Sequence, residues 1–404
     1  MPKEKNSGFI PYGRQWIDED DIRAVARALS CDYLTQGPGV ERFEEALAGY
    51  LGARFAVAVS SGTAALHLAC LAVGVKDRLE AITTPITFAA SANSAVYCGG
   101  KPVFADIEPH TFNINPDEIR KKITARAKAV IPVHFAGLAC DMDAIRAIAD
   151  ERGLTVIEDA CHALGAEYKD LKGKWHKAGS CAHSDLSIMS FHPVKHITTG
   201  EGGAILTNSP ELYERLMLLR THGITKKPDA FKNKAMAFDE NGAPNPWYYE
   251  MQEAGFNYRL TDLQCALGIS QLKKLDAFVA RRRRIADIYS AAFKGIDLIT
   301  PQAVSAGRVS SYHLYAVQID FKRLGKSRAR IMTELKEKGI GTQVHYIPVH
   351  LQPFYRERFG CKKGDFPVAE AYYEKALSLP MYPKMTDDDV RRVVQAVTGL
   401  LKVA

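Results

Sequence analysis

Short runs of apolar residues alternate along the chain with segments whose apolar positions recur at helical spacing, from about residue 40 to residue 210. Short continuous apolar runs are typical of strands buried on both faces of a sheet, whereas helical spacing indicates an amphipathic helix. We predict seven strands, at residues 55–60, 80–84, 102–106, 129–134, 155–159, 186–191 and 203–207. Helices are predicted between them, for example at 64–72, 117–123 and 142–152. This alternation predicts an α/β fold with a mainly parallel seven-stranded sheet covered by helices.

The pattern changes in the second half of the chain. Prolines at 228, 244 and 246, followed by the aromatic run Trp247-Tyr248-Tyr249, predict a loop-rich excursion over residues 226–255. A long helical pattern follows Thr261, and beyond it we predict a strand at 312–319, a helix at 327–338 and a strand at 341–346. We place a domain boundary inside the long helix, between a large domain of residues 1–270 with an N-terminal arm and a smaller α+β domain of residues 271–404.

Composition and charge exclude several classes of protein. With 47% hydrophobic and 25% charged residues, the 404-residue chain is an ordinary globular protein. The net charge of +7 arises from 53 bases interspersed with 46 acids, a mild excess that favours small anionic ligands at most. The run Arg281-Arg282-Arg283-Arg284 lies within a helical pattern, so we interpret it as mostly exposed helix surface. No alternation of basic and aromatic residues supports binding to nucleic acid.

Cysteine usage and apolar run lengths suggest a reducing compartment. The 8 cysteines form no C-x-x-C pair, so we expect reduced, mostly buried thiols. Cys161-His162 and Cys181-Ala182-His183 lack a second ligand pair at zinc spacing, so no metal is expected. The first residues are polar, and no apolar run reaches the length of a membrane span, so we expect neither a signal peptide nor a membrane partner. The predicted location is the cytoplasm.

An acid and an amine follow two of the predicted strands. Asp159 ends the strand at 155–159, and Lys195 follows the strand at 186–191 in the motif Ser190-Phe191-His192-Pro193-Val194-Lys195. Ligands of parallel sheets bind outside the carboxyl ends of the strands. An acid that holds a ring nitrogen protonated and an amine that forms a Schiff base are the protein groups that pyridoxal phosphate (PLP) needs. Separately, a helix cap is the better explanation of Asp159 and a surface charge the better explanation of Lys195; together the two residues predict an aminotransferase.

Other motifs supply groups suited to the same cofactor. Ser61-Gly62-Thr63 follows a strand and opens a helix, where free N–H groups and the helix dipole favour a phosphate, although a capped turn without ligand has the same pattern. Ser190 is a further phosphate donor. Phe88 either stacks on a flat ring or belongs to the core. His162 either contacts a ring hydroxyl or caps a following helix.

These motifs jointly resemble those of a known family. The segments SGTAALHLA, VIEDACHALGA, SFHPVK, TTGEGG and GFNYRLTDLQCALG, in this order, are similar to the DegT/DnrJ/EryC1/StrS family of PLP-dependent sugar aminotransferases. The resemblance implies PLP-dependent aminotransferase fold type I and a homodimer with shared active sites. It implies the following site residues: Lys195 as the Schiff-base lysine, Asp159 on the pyridine nitrogen, Phe88 stacked on the ring, His162 near the ring hydroxyl, Gly62, Thr63 and Ser190 around the phosphate, and Asn257 reaching the phosphate from the neighbouring subunit. Tyr12, Thr35, Arg259, His345 and Tyr346 are candidate substrate contacts.

The resemblance also implies a reaction. We expect amination of the C4 ketone of a UDP-linked 4-keto-6-deoxy-N-acetylhexosamine with glutamate as donor, in a pathway to pseudaminic acid and flagellin glycosylation. Three alternatives stay open: a 4-aminotransferase of the GDP-perosamine type, a sugar 3-dehydratase, and a PLP-binding protein without catalysis. The dehydratase chemistry uses a histidine where this chain has Lys195, which argues against it. His196 stands where the resemblance leads us to expect proline.

Overall fold

A computed structural model describes residues 8–401. Residues 1–7 and 402–404 lie outside the described residues. The predicted polar N-terminus, the start of the predicted large domain and the end of the predicted small domain fall there. The strands are β1 Phe55–Val59, β2 Glu80–Thr83, β3 Lys101–Phe104, β4 Ala127–Ile131, β5 Thr155–Asp159, β6 Glu167–Lys169, β7 Trp175–Lys177, β8 Leu186–Ser190, β9 Gly203–Thr207, β10 Ile224–Thr225, β11 Glu250–Met251, β12 Ile299–Pro301, β13 Arg308–Val309, β14 Tyr315–Ile319 and β15 Ala376–Leu379.

Helices cover the sheets on both sides. The helices are α1 Glu19–Leu29, α2 Pro38–Leu51, α3 Gly62–Ala72, α4 Ala89–Tyr97, α5 Pro116–Lys122, α6 Met142–Arg152, α7 Pro210–Arg220, α8 Lys234–Ala237, α9 Asp262–Leu272, α10 Leu275–Phe293, α11 Phe321–Leu324, α12 Arg328–Glu337, α13 Pro353–Phe359, α14 Pro367–Lys375 and α15 Asp387–Leu401. Several begin at a side chain that accepts a hydrogen bond from a first-turn N–H, as Ser61 does for α3 and Asp141 for α6.

The large sheet contains seven strands in the order β1-β9-β8-β5-β4-β2-β3. The pairs β8/β5, β5/β4, β4/β2 and β2/β3 are parallel, whereas β9 is antiparallel to both β8 and β1. All seven predicted strands are confirmed, as is the mainly parallel sheet. Because β1 runs in the same direction as β8, the carboxyl ends of every strand except β9 meet at one edge of this sheet.

A second, three-stranded sheet in the order β12-β14-β15 is antiparallel. Its buried face packs against α10, α12 and α15 through residues such as Val317, Leu377, Tyr289, Leu335 and Val393. The predicted long helix is two helices, α9 and α10, which are separated by Lys273 and Lys274. The division into domains near residue 270 stays a prediction.

One strand predicted in the C-terminal half is absent from the described residues. Residues 341–346 form no strand, since only Gln343 pairs with Ser378 of β15. The side chain of Gln343 accepts from the N–H of Val344, and the Tyr372 hydroxyl donates to the carbonyl of His345, so the backbone leaves the sheet. The prediction of an excursion over residues 226–255 is confirmed; it contains only short elements, with β10 pairing β11 at its base.

The arginine run at 281–284 is not mostly exposed, as the sequence suggested. Arg282 is fully buried and donates to the carbonyl of Met381 at 2.8 Å, and Arg283 donates to the carbonyl of Ser310 at 2.9 Å. Burial lowers the pKa of Arg282 to about 9. Arg281, Arg282 and Arg283 all donate hydrogen bonds to backbone carbonyl groups of other segments that pack against α10. Within the run, only Arg284 extends mainly into solvent.

All eight cysteines are free thiols, and Cys70, Cys140, Cys181 and Cys265 are buried. Across residues 8–401, no helix combines the length and the apolar composition that a membrane crossing requires. The cytoplasmic location stays a prediction.

Candidate active site

A cavity of about 660 Å³ opens at the edge of the large sheet where the carboxyl ends of the strands meet. Its wall contains ten of the residues that the sequence singled out: Tyr12, Gly62, Thr63, Phe88, Asp159, His162, Ser190, Lys195, His345 and Tyr346. Many of these residues lie close together because β1, β2, β5 and β8 all end at this edge of the sheet, so the segments that follow them begin there.

The N-terminus of α3 forms one end of the cavity. Ser61 caps this helix, its hydroxyl oxygen accepting from the N–H of Ala64 at 3.1 Å. The N–H groups of Gly62 and Thr63 have no hydrogen-bond partner among residues 8–401 and are available to an anion. A Cβ atom on Gly62 would lie 3.0 Å from Ser190 Cβ and 3.3 Å from its Oγ, so glycine lets the serine approach the helix end. Free N–H groups beside a hydroxyl fit a phosphate.

We expect Gly62→Ala to weaken binding of PLP about tenfold or more, since the methyl group crowds Ser190 and the anion position. Titration of the apoprotein with PLP, followed by absorbance, measures the dissociation constant. Gly49→Ala in α2 is the matched control, because its Cβ would meet nothing within 4 Å. That control should leave PLP affinity unchanged and raise stability by about 0.5–1 kcal/mol. Equal affinities for the Gly62 variant and the wild type would contradict the phosphate site.

Asp159 ends β5 and is buried beside the cavity. Its Oδ2 accepts from the hydroxyl of Ser91 at 2.7 Å, and its Oδ1 accepts from the N–H of Cys161 at 3.2 Å. Thr87 lies 2.7 Å from the same Ser91 hydroxyl. Ser91 was not among the predicted site residues, because nothing local indicates its contact with residue 159. Two donors orient this carboxylate, so it can face a protonated ring nitrogen.

The neighbouring Glu158 points to the opposite face of the sheet. Its Oε1 accepts from the N–H of Gly179 and contacts His134 Nε2, both at 2.8 Å, while its Oε2 accepts from Ser184 at 2.8 Å. Side chains alternate along a strand, so the inward position of Glu158 places Asp159 in the cavity.

Lys195 lies in a turn after β8, half-buried. The turn is held by the Lys195 N–H, which donates to the carbonyl of His192 at 2.8 Å, and by Thr198, whose hydroxyl donates to the carbonyl of Phe191 at 3.0 Å. The side-chain nitrogen has no hydrogen-bond partner among the described residues. Burial lowers the pKa of Lys195 below its ordinary value, with Cys161 and Asp159 opposing part of the shift. This is the direction that increases the fraction of free, nucleophilic amine.

Histidines form the back of the cavity. His162 Nε2 lies 3.1 Å from the hydroxyl of Tyr346, and its ring centre lies 4.3 Å from that of His313. Burial lowers the pKa of His162 and His313 well below the usual range and that of His345 to about 3. We call these three residues the histidine wall; it is neutral and polar. Turns rather than a helix follow His162, so the predicted helix-cap role is wrong. His313 was not predicted, since no motif marks it.

Phe88 lies at the cavity mouth rather than in the core. Its exposed fraction is 62%, which excludes the core alternative, and its ring centre lies 6.4 Å from that of Tyr346. An aromatic face is therefore open to a flat ligand.

Three predicted site residues do not line the cavity of this chain. Backbone bridges join Thr35 to Thr261, Asn257 to Thr221 and Arg259 to Val59. The role predicted for Asn257 requires a second subunit, so its position within one chain leaves that prediction open.

The groups at the cavity fit PLP. An amine of lowered pKa, an oriented carboxylate, free N–H groups beside a hydroxyl and an open aromatic face correspond to its aldehyde, ring nitrogen, phosphate and ring. Fold and site together are those of a PLP-dependent aminotransferase of fold type I.

Comparison with known proteins gives the same class. Residues 15–398 match the DegT/DnrJ/EryC1/StrS aminotransferase family, and the chain belongs to it. The spore coat polysaccharide biosynthesis protein SpsC of Bacillus subtilis is 44% identical over 403 residues, with 99% of each chain covered. Helicobacter pylori PseC, an aminotransferase involved in the biosynthesis of pseudoaminic acid, is 33% identical with a TM-score of 0.87, covering 97% of this chain and 99% of its own.

Cofactor use follows from the family. Spr1654 from Streptococcus pneumoniae, solved in a PLP form and a PMP form, is 28% identical to this chain with a TM-score of 0.86, covering 97% of this chain and 98% of its own. The chain is a sugar aminotransferase and uses PLP.

Proposed function

We propose that this enzyme transfers an amino group from glutamate to the C4 ketone of a UDP-linked 4-keto-6-deoxy-N-acetylhexosamine. The product would be UDP-4-amino-4,6-dideoxy-N-acetyl-β-L-altrosamine, a precursor of pseudaminic acid for flagellin glycosylation. The observation that carries the proposal is the placement of Lys195 and Asp159 in one cavity, together with the likeness over nearly the whole chain to PseC.

In this proposal each residue of the cavity has a separate role in binding the cofactor or in transferring the proton. When bound, PLP accepts the amino group of the donor and passes it to the ketone. Lys195 Nζ would hold the cofactor covalently and, as a free amine, would accept and return the proton at the donor carbon. Asp159 holds the ring nitrogen protonated, while Gly62, Thr63 and Ser190 bind the phosphate. Phe88 stacks on the ring, and Tyr346 orients His162 near the ring hydroxyl.

We also propose a homodimer with shared active sites. Lys195 is the only lysine or arginine among the described residues that line the cavity, although a nucleotide sugar brings a pyrophosphate. Trp247 and Met251 are 74% and 65% exposed on an excursion that also contains several lysines. A second copy that placed Asn257, Arg259 and Thr35 at this cavity would supply the missing donors. A monomeric mass in solution would argue against this arrangement.

The substrate is tested with a panel of 4-keto nucleotide sugars. The PLP-loaded enzyme is incubated with glutamate and each sugar, and NMR identifies the aminated product. We expect amination at C4 of the UDP-linked N-acetylhexosamine and ping-pong kinetics. Preference for a GDP-linked 4-keto-6-deoxyhexose would replace the proposed substrate with the perosamine type, and loss of a ring hydroxyl without amination would indicate a dehydratase.

A further inference from the structure

His196 follows Lys195 directly, and its ring leaves the cavity for the protein interior. The residue is 2% exposed, and its Nε2 lies 3.2 Å from the carbonyl oxygen of Ser311. A carbonyl can only accept, so Nε2 carries the proton and donates. The other ring nitrogen, Nδ1, is buried without a hydrogen-bond partner among residues 8–401. The ring therefore makes one hydrogen bond, from the turn that contains Lys195 to a segment 115 residues further along the chain, and its centre lies 5.6 Å from that of His313 in the same segment.

That segment, residues 310–313, is here called the strap. The N–H of Ser311 donates to the carbonyl of Gly137 at 3.0 Å, and its hydroxyl donates to the carbonyl of His162 at 3.3 Å. A Cβ atom on Gly137 would lie 2.7 Å from Ser311 Oγ, which shows how closely the strap approaches the turns below the sheet edge. The strap is thus fixed to the segments that follow β4 and β5.

The strap is also fixed to the long helix α10. Arg282 Nη1 donates to the carbonyls of Tyr312 and His313, both at 3.2 Å, and Arg283 Nε donates to the carbonyl of Ser310 at 2.9 Å. The last residue of the strap is His313, which lines the cavity as part of the histidine wall. A residue that is hydrogen-bonded to the strap, as His196 is, is therefore held at a fixed position relative to the histidine wall.

The contact of His196 with the strap is that of a neutral ring. Burial lowers the pKa of His196 well below its usual range, and the buried cation of Arg282 lowers it further. The ring therefore holds the turn through one neutral N–H donor rather than through a charge.

We propose that His196 is a positioning residue for Lys195, whose turn it ties to the strap so that the amine keeps a fixed place relative to the histidine wall. The proposal rests on the proposed function in one respect, the assignment of Lys195 as the residue that carries the cofactor. Small displacements of a reacting group are costly, about 10²-fold for roughly 1 Å. Loss of the hydrogen bond that positions the turn should therefore lower kcat measurably, although His196 itself does not line the cavity.

The test compares two substitutions. His196→Leu removes the donor, and His196→Gln keeps an N–H at nearly the position of Nε2. We expect the leucine variant to lose about 10-fold to 100-fold in kcat with little change in the KM for glutamate, because the fault lies in placement of the amine and not in binding. The glutamine variant should recover most of that loss. Rescue by the donor separates the hydrogen bond from mere filling of space.

A spectroscopic readout accompanies the kinetics. The pH dependence of the visible absorbance of the loaded enzyme reports on the surroundings of the lysine nitrogen, which a loosened turn would open to water. We expect the titration midpoint to move upward in the leucine variant and to stay near the wild-type value in the glutamine variant. His183→Leu is the matched control: His183 contacts the Tyr168 hydroxyl at 3.0 Å away from the cavity, so its loss should leave kcat and the midpoint unchanged.

The outcomes decide the proposal. Wild-type kcat and midpoint in the leucine variant would overturn it, and so would equal losses in the leucine and glutamine variants, since packing alone would then explain them. If the leucine variant does not fold, His196→Asn replaces it, because its amide is too short to reach the strap. Borohydride reduction and peptide mass mapping of the wild type locate the cofactor independently; attachment to a lysine other than Lys195 would reject the proposed function instead.

Discussion

Lys195→Ala is expected to lose transamination, with turnover lower by about 10³-fold or more, since a positioned proton-transferring group alone contributes about 10²–10⁴. Alanine provides neither of the two functions proposed for Lys195, covalent attachment of PLP and transfer of the proton. The assay measures turnover with glutamate and the 4-keto sugar, together with the visible absorbance of the bound cofactor. We expect PLP to bind through the phosphate and ring contacts but to show the spectrum of the free aldehyde.

Lys174→Ala is the control for this substitution, because Lys174 is exposed on a turn between β6 and β7. It should retain wild-type turnover and spectrum. Full activity of the Lys195 variant, with an unchanged spectrum, would show that another residue holds the cofactor. Thermal unfolding of both variants establishes that a loss of activity is not a loss of fold.

Asp159→Asn is expected to lower kcat by about 10²-fold to 10³-fold, with weaker PLP binding. The amide keeps the size of the side chain and can still accept from Ser91 Oγ, which lies 2.7 Å from the carboxylate, so the fold should survive. What is lost is the negative charge that we propose lies opposite the ring nitrogen, and with it the protonation that would make the ring accept electrons. Single-turnover kinetics with glutamate measure the effect on the first half-reaction.

Ser91→Ala provides a graded comparison for Asp159. It removes one of the two hydrogen bonds that orient the carboxylate but leaves the charge, so a loss of about tenfold is expected, consistent with one hydrogen bond. If the asparagine variant were no more impaired than the Ser91 variant, orientation rather than charge would be the contribution of Asp159, and the proposed contact with the ring nitrogen would be wrong.

The large sheet could be predicted because its strands are buried on both faces and therefore appear as continuous apolar runs. The predictions for β5 and β9 match the observed bounds. The bounds of α6 were also predicted, and the physical signals are local: Asp141 caps its first turn, and Gly153 ends it in the left-handed conformation at a φ of 62°. Where burial or helix capping depends on a few neighbouring residues, the sequence is sufficient to predict the bounds of an element.

Contacts between distant segments could not be predicted in this way. The bond from Ser91 to Asp159 and the approach of His313 to His162 join residues far apart in the chain, with no local pattern to mark them. Burial of Arg282 was missed for the same reason, because a charged run at helical spacing does not show which carbonyl groups will cross it. The shared location of Lys195 and Asp159 could be predicted, because Asp159 ends one strand of the sheet and Lys195 follows another.

The three contacts of Glu158 have a consequence for how this enzyme can diverge. An insertion or deletion of one residue within β5 would turn the carboxylate of Asp159 toward the protein interior and Glu158 toward the cavity. It would also strip His134, Gly179 and Ser184 of their common acceptor. Length changes in this strand should thus be more damaging than substitutions at its positions other than 158 and 159.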